Sequence, residues 1–239
     1  MVDYGNALKR PFTDLVKLVV GIVLSLVPII NFFVWGFMLE CTGFGKSKQK
    51  DKMPEWKEWP ELLFKGVVAF IVSIIYLLPA IAVFSLGIGF TVFSLMGSVF
   101  GPMMSSDAIS AIMQGQITPG IFKNTFTQNW PIISSILLTA APMFLVGLLL
   151  SLLGFYLIPV ALVNYLKKKR VSGAFDLGTV FKKAFTSKYF VVWLASFFIW
   201  LIGTWLFSLV PVIGSAAAFF IVGVITFSLF GQVLKELKV

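Results

Sequence analysis

Residues 189–234 read YFVVWLASFFIWLIGTWLFSLVPVIGSAAAFFIVGVITFSLFGQVL, 46 positions between Lys188 and Lys235 without a charged side chain. Gly66 to Ser106 and Asn124 to Leu166 are equally free of charge. A charge at the bilayer centre costs about 2.5–3.5 kcal/mol on insertion scales. The 19 basic and 10 acidic residues are swept into short windows between the apolar blocks, so the blocks belong in lipid. The expected fold is all-α: a polytopic membrane protein with four apolar blocks, roughly 18–39, 66–106, 131–166 and 189–234.

With 59% hydrophobic and 12% charged side chains, the 239 residues suffice for one membrane domain, 1–239, and leave little for a soluble one. The net charge of +9 would suggest nucleic acid in a soluble protein. Here the lysines flank apolar segments, where they match the positive-inside bias and anionic headgroups, so nucleic acid is not an expected partner. Cys41 is the only cysteine, which excludes an internal disulfide and cysteine-cluster metal sites. Asp3, Lys9, Arg10 and Asp14 are not followed by a short apolar region with a small-residue cleavage site, so the first block is expected to persist in the mature protein.

Each block has a proline near its middle: SLVPII at Ser25–Ile30, YLLPAI at Tyr76–Ile81, TAAPMF at Thr139–Phe144 and SLVPVI at Ser208–Ile213. Proline removes a backbone donor and disfavours helix in the preceding residue. Pro-centred helical hairpins are therefore expected in blocks two to four. A single helix through block three would be about 54 Å long against a hydrocarbon core of about 30 Å, which predicts that it breaks or doubles back. For block one, a shallow re-entrant hairpin at Pro28 competes with a single span.

The block entrances repeat. Leu8-Lys9 with Phe12-Thr13, Phe122-Lys123 with Phe126-Thr127, and Phe181-Lys182 with Phe185-Thr186 each put two apolar residues on one helical face, as in a short amphipathic helix lying in the headgroup layer. The spacing from Phe12 to Pro28 equals that from Phe126 to Pro142, which points to an internal duplication with pseudo-repeats 1–105 and 115–239.

Six lysines lie in residues 40–65 and seven basic residues in 167–188. The positive-inside bias puts both loops in the cytoplasm, and the C-terminus with them. The entrance motif assigns residues 101–130 to that side too. Lys46, Lys48, Lys50 and Lys52, with Lys167, Lys168, Lys169 and Arg170, are the candidate contacts to anionic lipid or a partner. Trp56 and Trp59, in PEWKEWPE, are candidate interfacial anchors.

There is no histidine, which removes the commonest general base and metal ligand. None of the ten acids lies deep in an apolar block, which counts against proton- or cation-coupled transport. No catalytic, cofactor or metal site is expected. Gly45-Lys46-Ser47 matches the end of a phosphate-binding loop, but Glu40 stands where the first glycine belongs, and the match is coincidental. Gly97 and Gly101 have the spacing for close helix packing, within the chain or in a homo-oligomer.

Gly36-Phe37, Pro54-Glu55-Trp56 with Trp59, Phe64-Lys65-Gly66, Tyr76-Leu77-Leu78-Pro79, and Pro159 followed by Asn164-Tyr165 and Phe175 resemble the prokaryotic membrane family catalogued as domain of unknown function 4013. Glu40 departs from the basic residue expected after the glycine-aromatic pair, and Phe37 replaces a tyrosine. The resemblance implies a multi-spanning protein of bacteria or archaea and has no activity to carry over.

The leading functional expectation is a non-enzymatic, multi-pass protein of the cell membrane. It would organise lipid as a scaffold or support a membrane complex, with the bilayer, anionic lipids and a membrane protein or second copy as partners. The alternative is a transporter or permease component with a pathway between the two halves, lined by the intramembrane polar residues Asn31, Tyr76, Asn164 and Tyr165.

Overall fold

A computed structural model describes residues 2–45, 52–101, 110, 113 and 119–237, without the side chains of 100 and 119–126. Every element among them is helical. Asp3 caps α1 (Tyr4–Lys9) by accepting from the Asn6 amide at 2.9 Å, and a 3-10 turn, Arg10–Phe12, follows. Asp14 caps α2 (Leu15–Ser25) through the Lys17 amide, 3.1 Å away. Next come α3 (Asn31–Cys41), α4 (Trp59–Leu95) with a π-helical extension at Met96–Phe100, and α5 (Pro119–Lys168). A second 3-10 turn, Val171–Phe175, leads to α6 (Leu177–Ala184), α7 (Ser187–Phe207) and α8 (Ile213–Glu236). Side-chain oxygens of Asp176 and Thr186 cap α6 and α7, satisfying amides that a helix start leaves open. Four helices, α4, α5, α7 and α8, are long and apolar enough to cross a membrane, and they mark the chain as a membrane protein.

The prolines behave in two ways. At Pro28 and Pro211 the chain leaves the helix and returns, giving the α2–α3 and α7–α8 hairpins. At Pro79 and Pro142 it does not: α4 and α5 run straight through, so the hairpins expected in blocks two and three are corrected to continuous helices. The preceding residue separates the cases. Val27 and Val210, β-branched, precede the turning prolines, whereas Leu78 and Ala141, strong helix formers, precede the others. The length argument for block three failed because a helix longer than the hydrocarbon core can tilt or extend past it. At 11 residues each, α2 and α3 rise only about 16 Å, too short to cross.

The chain divides into two compact units, Met1–Tyr76 with Gly154–Val239, and Leu77–Leu153. In the first unit α8 is the central helix. Two thirds of its apolar window is buried (67%), against 11% for α7, which leaves its face to lipid. Gly21 of α2 lies against the Phe220 ring, Gly223 against Met38 of α3, Gly231 against the Thr42 carbonyl, and Gly203 of α7 against Val222. Small residues thus bring helices onto α8 where hydrophobic burial gives little drive between helices. Tyr156 of α5 ties in α6 and α7: its hydroxyl donates to the Ala184 carbonyl at 2.5 Å, and its carbonyl accepts from the Tyr189 hydroxyl at 2.6 Å.

In the second unit, Gly87 of α4 packs on Met143 and Gly147 of α5 on the Phe84 ring. Gly89 and Gly97 have nothing within 4 Å. The close packing expected at Gly97 is therefore absent among the described residues, and Gly87 fills that role instead.

Two of the three entrance motifs form short amphipathic helices. Leu8 and Phe12 are exposed at α1 and its 3-10 extension, and Phe181 and Phe185 at α6. The third copy is different: Phe122 and Phe126 fall within the continuous α5, and their side chains lie outside the described residues.

Candidate functional site

The basic run after α5 folds back through the Val171–Phe175 turn. Two side chains expected in the membrane interior hold that turn. Tyr76 donates its hydroxyl to the Ala174 carbonyl at 2.7 Å, and Asn164 donates its side-chain amide to the neighbouring Gly173 carbonyl at 2.7 Å. The Tyr76 ring also stacks on Phe175, 6.2 Å between centroids. Asn31, the first residue of α3, is not part of this arrangement; its Oδ1 is buried without a hydrogen-bond partner among the described residues. Asn164 Oδ1 is likewise buried and unpartnered among the described residues.

Beyond Asn164, the last turn of α5 and the length of α6 line an open pocket of about 480 Å³ with Lys167, Lys168, Lys182 and Lys183 together with Gly178 and Thr179. That is within the size range of small-molecule sites. Lys168 is ion-paired with Asp176, the α6 cap, which also accepts from the Thr179 hydroxyl at 2.8 Å. The Lys168 hydrogen bond, with those from Thr179, pulls the Asp176 carboxyl down to about 2. Lys183 is only 4% exposed. Burial, then the charges of Lys167 and Lys168, push its ammonium below the ordinary lysine value, against a smaller opposing pull from Asp176. The side chains of Lys167, Lys182 and Lys183 make no ion pair or hydrogen bond among the described residues, although the charge of Asp176 acts on Lys183. The sequence reading singled out Lys167 and Lys168 but missed Lys182 and Lys183, which it read only as the polar side of an amphipathic helix.

Lys169 and Arg170 point elsewhere. With Tyr165, which is buried, they line a second cavity of about 590 Å³ that also meets Lys65 and Glu61. Lys65, 8% exposed, lies between Glu40, with which it is ion-paired, and Glu61 at 2.6 Å. The acid that departs from the resembled family thus neutralises a lysine within the motif Phe64-Lys65-Gly66. Gly45 presses against the Glu40 carboxylate, so the apparent phosphate-loop end faces an acid.

Lys52 is exposed and gives its carbonyl to the Arg10 side chain at 3.1 Å; Lys46, Lys48 and Lys50 lie outside the described residues. Trp56 is half-buried rather than free at a surface. It stacks on Phe37 at 4.0 Å and on Trp59 at 5.7 Å, and its indole N–H donates to the Lys17 carbonyl at 3.3 Å. Trp59 remains exposed. The same loop holds Glu55, which meets Lys17 at 2.7 Å. Lys17 draws the Glu55 carboxyl below its usual value through a hydrogen bond and its charge.

The backbone crossing of α3 and α4 accounts for two of the resembling motifs, because Gly36 lies against the Leu62 backbone and Gly66 against that of Phe32. No curated protein sequence and no solved structure matches the chain. The family profile described as protein of unknown function, DUF4013, matches residues 20–231, and the chain belongs to that family.

Proposed function

We propose that this protein is a non-enzymatic component of the prokaryotic cell membrane that organises lipid or supports a membrane complex through a basic cytoplasmic face. The observation behind this reading is the cluster at the junction of α5 and α6, where four lysines meet one carboxylate beside apolar helices. Lysines close to an anionic surface are worth about 1 kcal/mol each and are screened by salt. Residues 42–58 and 167–188 and the C-terminus share one side of the membrane. Uninterrupted α4 and α7 count as single crossings, as do α5 and α8. On that count Ser110 and Met113, between α4 and α5, lie on the opposite side from the basic loops, against the reading from the entrance motif.

The test is to change Lys167, Lys168, Lys169 and Arg170 together to glutamine and to quantify acidic lipid co-purified with the full chain. Retention falls and becomes less sensitive to salt, or part of the topology inverts. If lipid retention and orientation are both unchanged, the run serves a protein partner and the lipid reading fails.

A further inference from the structure

Two short helices of this chain share a register. Asp3 caps α1 and Asp176 caps α6; seven residues on stand Arg10 and Lys183, nine on Phe12 and Phe185, ten on Thr13 and Thr186. Arg10 and Lys183 are both buried, at 3% and 4% exposure. Arg10 is fully employed there: its Nη1 donates to the Cys41 carbonyl at 2.5 Å and to Ser228 Oγ at 2.9 Å, and its Nε to the Lys52 carbonyl at 3.1 Å. The Lys183 side chain in the equivalent place makes no hydrogen bond or ion pair among the described residues, and the charges acting on it are those of Lys167 and Lys168, opposed by Asp176. A buried cation is costly unless it is paired. Among the described residues, Lys183 makes none of the hydrogen bonds that hold Arg10.

We propose that the pocket between the end of α5 and α6 is a one-to-one site for the phosphomonoester headgroup of an anionic phospholipid, an assignment that rests on the lipid-interacting reading above. Charge sets the class of ligand. Among the described residues the four lysines here face one carboxylate, Asp176, already ion-paired with Lys168, so positive charge remains in excess. A phosphomonoester has about −1.5 to −2 charges at pH 7, whereas a diester has about one.

The exposed face of α6 identifies the source as a lipid. Leu177, Phe181 and Phe185, at spacings of four, are 52%, 39% and 66% exposed and form a single apolar stripe. Phe181 immediately precedes the pocket lysines Lys182 and Lys183. A helix with an apolar stripe outward and lysines beside it seats its stripe among acyl chains and its cations at headgroup depth. A free phosphate would use the lysines and leave the stripe without a role.

The full chain is to be released from nanodiscs containing phosphatidic acid, phosphatidylglycerol and phosphatidylcholine and its bound lipids counted by native mass spectrometry. One phosphatidic acid is retained per chain in preference to phosphatidylglycerol. Lys183→Gln and Lys182→Gln each lower that bound fraction about tenfold, equivalent to about 1.4 kcal/mol. Lys9→Gln, which changes the exposed lysine at the matching position of α1, does not. Because Lys182 is exposed, its variant keeps the test open if the Lys183 variant fails to fold. Retention that falls equally for any lysine removed overturns the built site and leaves the diffuse basic face standing. Glycerol 3-phosphate or inorganic phosphate binding the detergent-purified chain as tightly as the lipid overturns the lipid assignment. Retention of no acidic lipid overturns both readings.

Discussion

Gly36 and Gly66 form a reciprocal contact: a Cβ on the first would strike the carbonyl of Leu62, four residues before Gly66, and one on the second the carbonyl of Phe32, four residues before Gly36. Two helix backbones meet there, and backbone cannot move aside as a side chain can. Gly36→Ala or Gly66→Ala should cost about 2 kcal/mol or more, the upper part of the range for overpacking. Gly89→Ala and Gly97→Ala, where nothing lies within 4 Å, should be neutral or stabilising by up to about 1 kcal/mol through helix propensity. Thermal unfolding of the four variants in one detergent checks the contrast. Equal losses at all four positions would remove the α3–α4 crossing as the reason for the motif.

Arg10 ties the end of α3, the Lys52 loop and α8 together through buried hydrogen bonds. Hydrogen bonds to a charged group are worth about 1.5–3 kcal/mol each, and truncation leaves buried acceptors unpaired. Arg10→Gln should therefore destabilise by about 3 kcal/mol, while the exposed neighbour changed in Lys9→Gln has little effect. Denaturant unfolding followed by Trp fluorescence reports it directly, because Trp56 packs on the same α3.

The membrane class was legible in the sequence because expelling charge from lipid is a composition-level demand. Which prolines turn was not, although the signal was present: Val27 and Val210 precede the two turns, Leu78 and Ala141 the two continuous helices. Three prolines, Pro131, Pro142 and Pro159, remain inside α5, so the proline alone does not decide. The pocket was half legible. Lys167 and Lys168 stand out as a run, but Lys183 counts only because packing turns it inward, a tertiary fact that no spacing within α6 expresses. Tyr76 and Asn164 were singled out as polar residues in apolar blocks; that they hold one turn depends on contacts across 98 and 9 residues.

Continuous α4 and α5 give a topology that labelling can read. In a Cys41→Ser background, cysteines at Ser172 and Met113, both exposed, should differ: an impermeant thiol reagent applied to intact cells labels the second and spares the first. Labelling of both or neither would mean that α4 or α5 does not cross as one span.

Tyr76 and Asn164 also distinguish a structural role from a transport pathway. Each holds one carbonyl of the Val171–Phe175 turn, and a hydrogen bond of this kind contributes about 0.5–1.5 kcal/mol net. Tyr76→Phe and Asn164→Leu should each loosen that turn, and trypsin should cut after Lys169 or Arg170 several-fold faster in the double variant. Coupled transport draws on a group that changes charge within the membrane, and the described ionisable cluster nearest to such a role, Glu40, Lys65 and Glu61, is already internally paired. Proteoliposomes with a proton or sodium gradient should therefore show no uptake above that of empty vesicles, in the parent or in either variant. A gradient-dependent flux that disappears in Asn164→Leu, in protein that still unfolds cooperatively, would replace the scaffold reading with the transporter. Faster proteolysis without flux instead assigns both side chains to the turn that shapes the basic pocket.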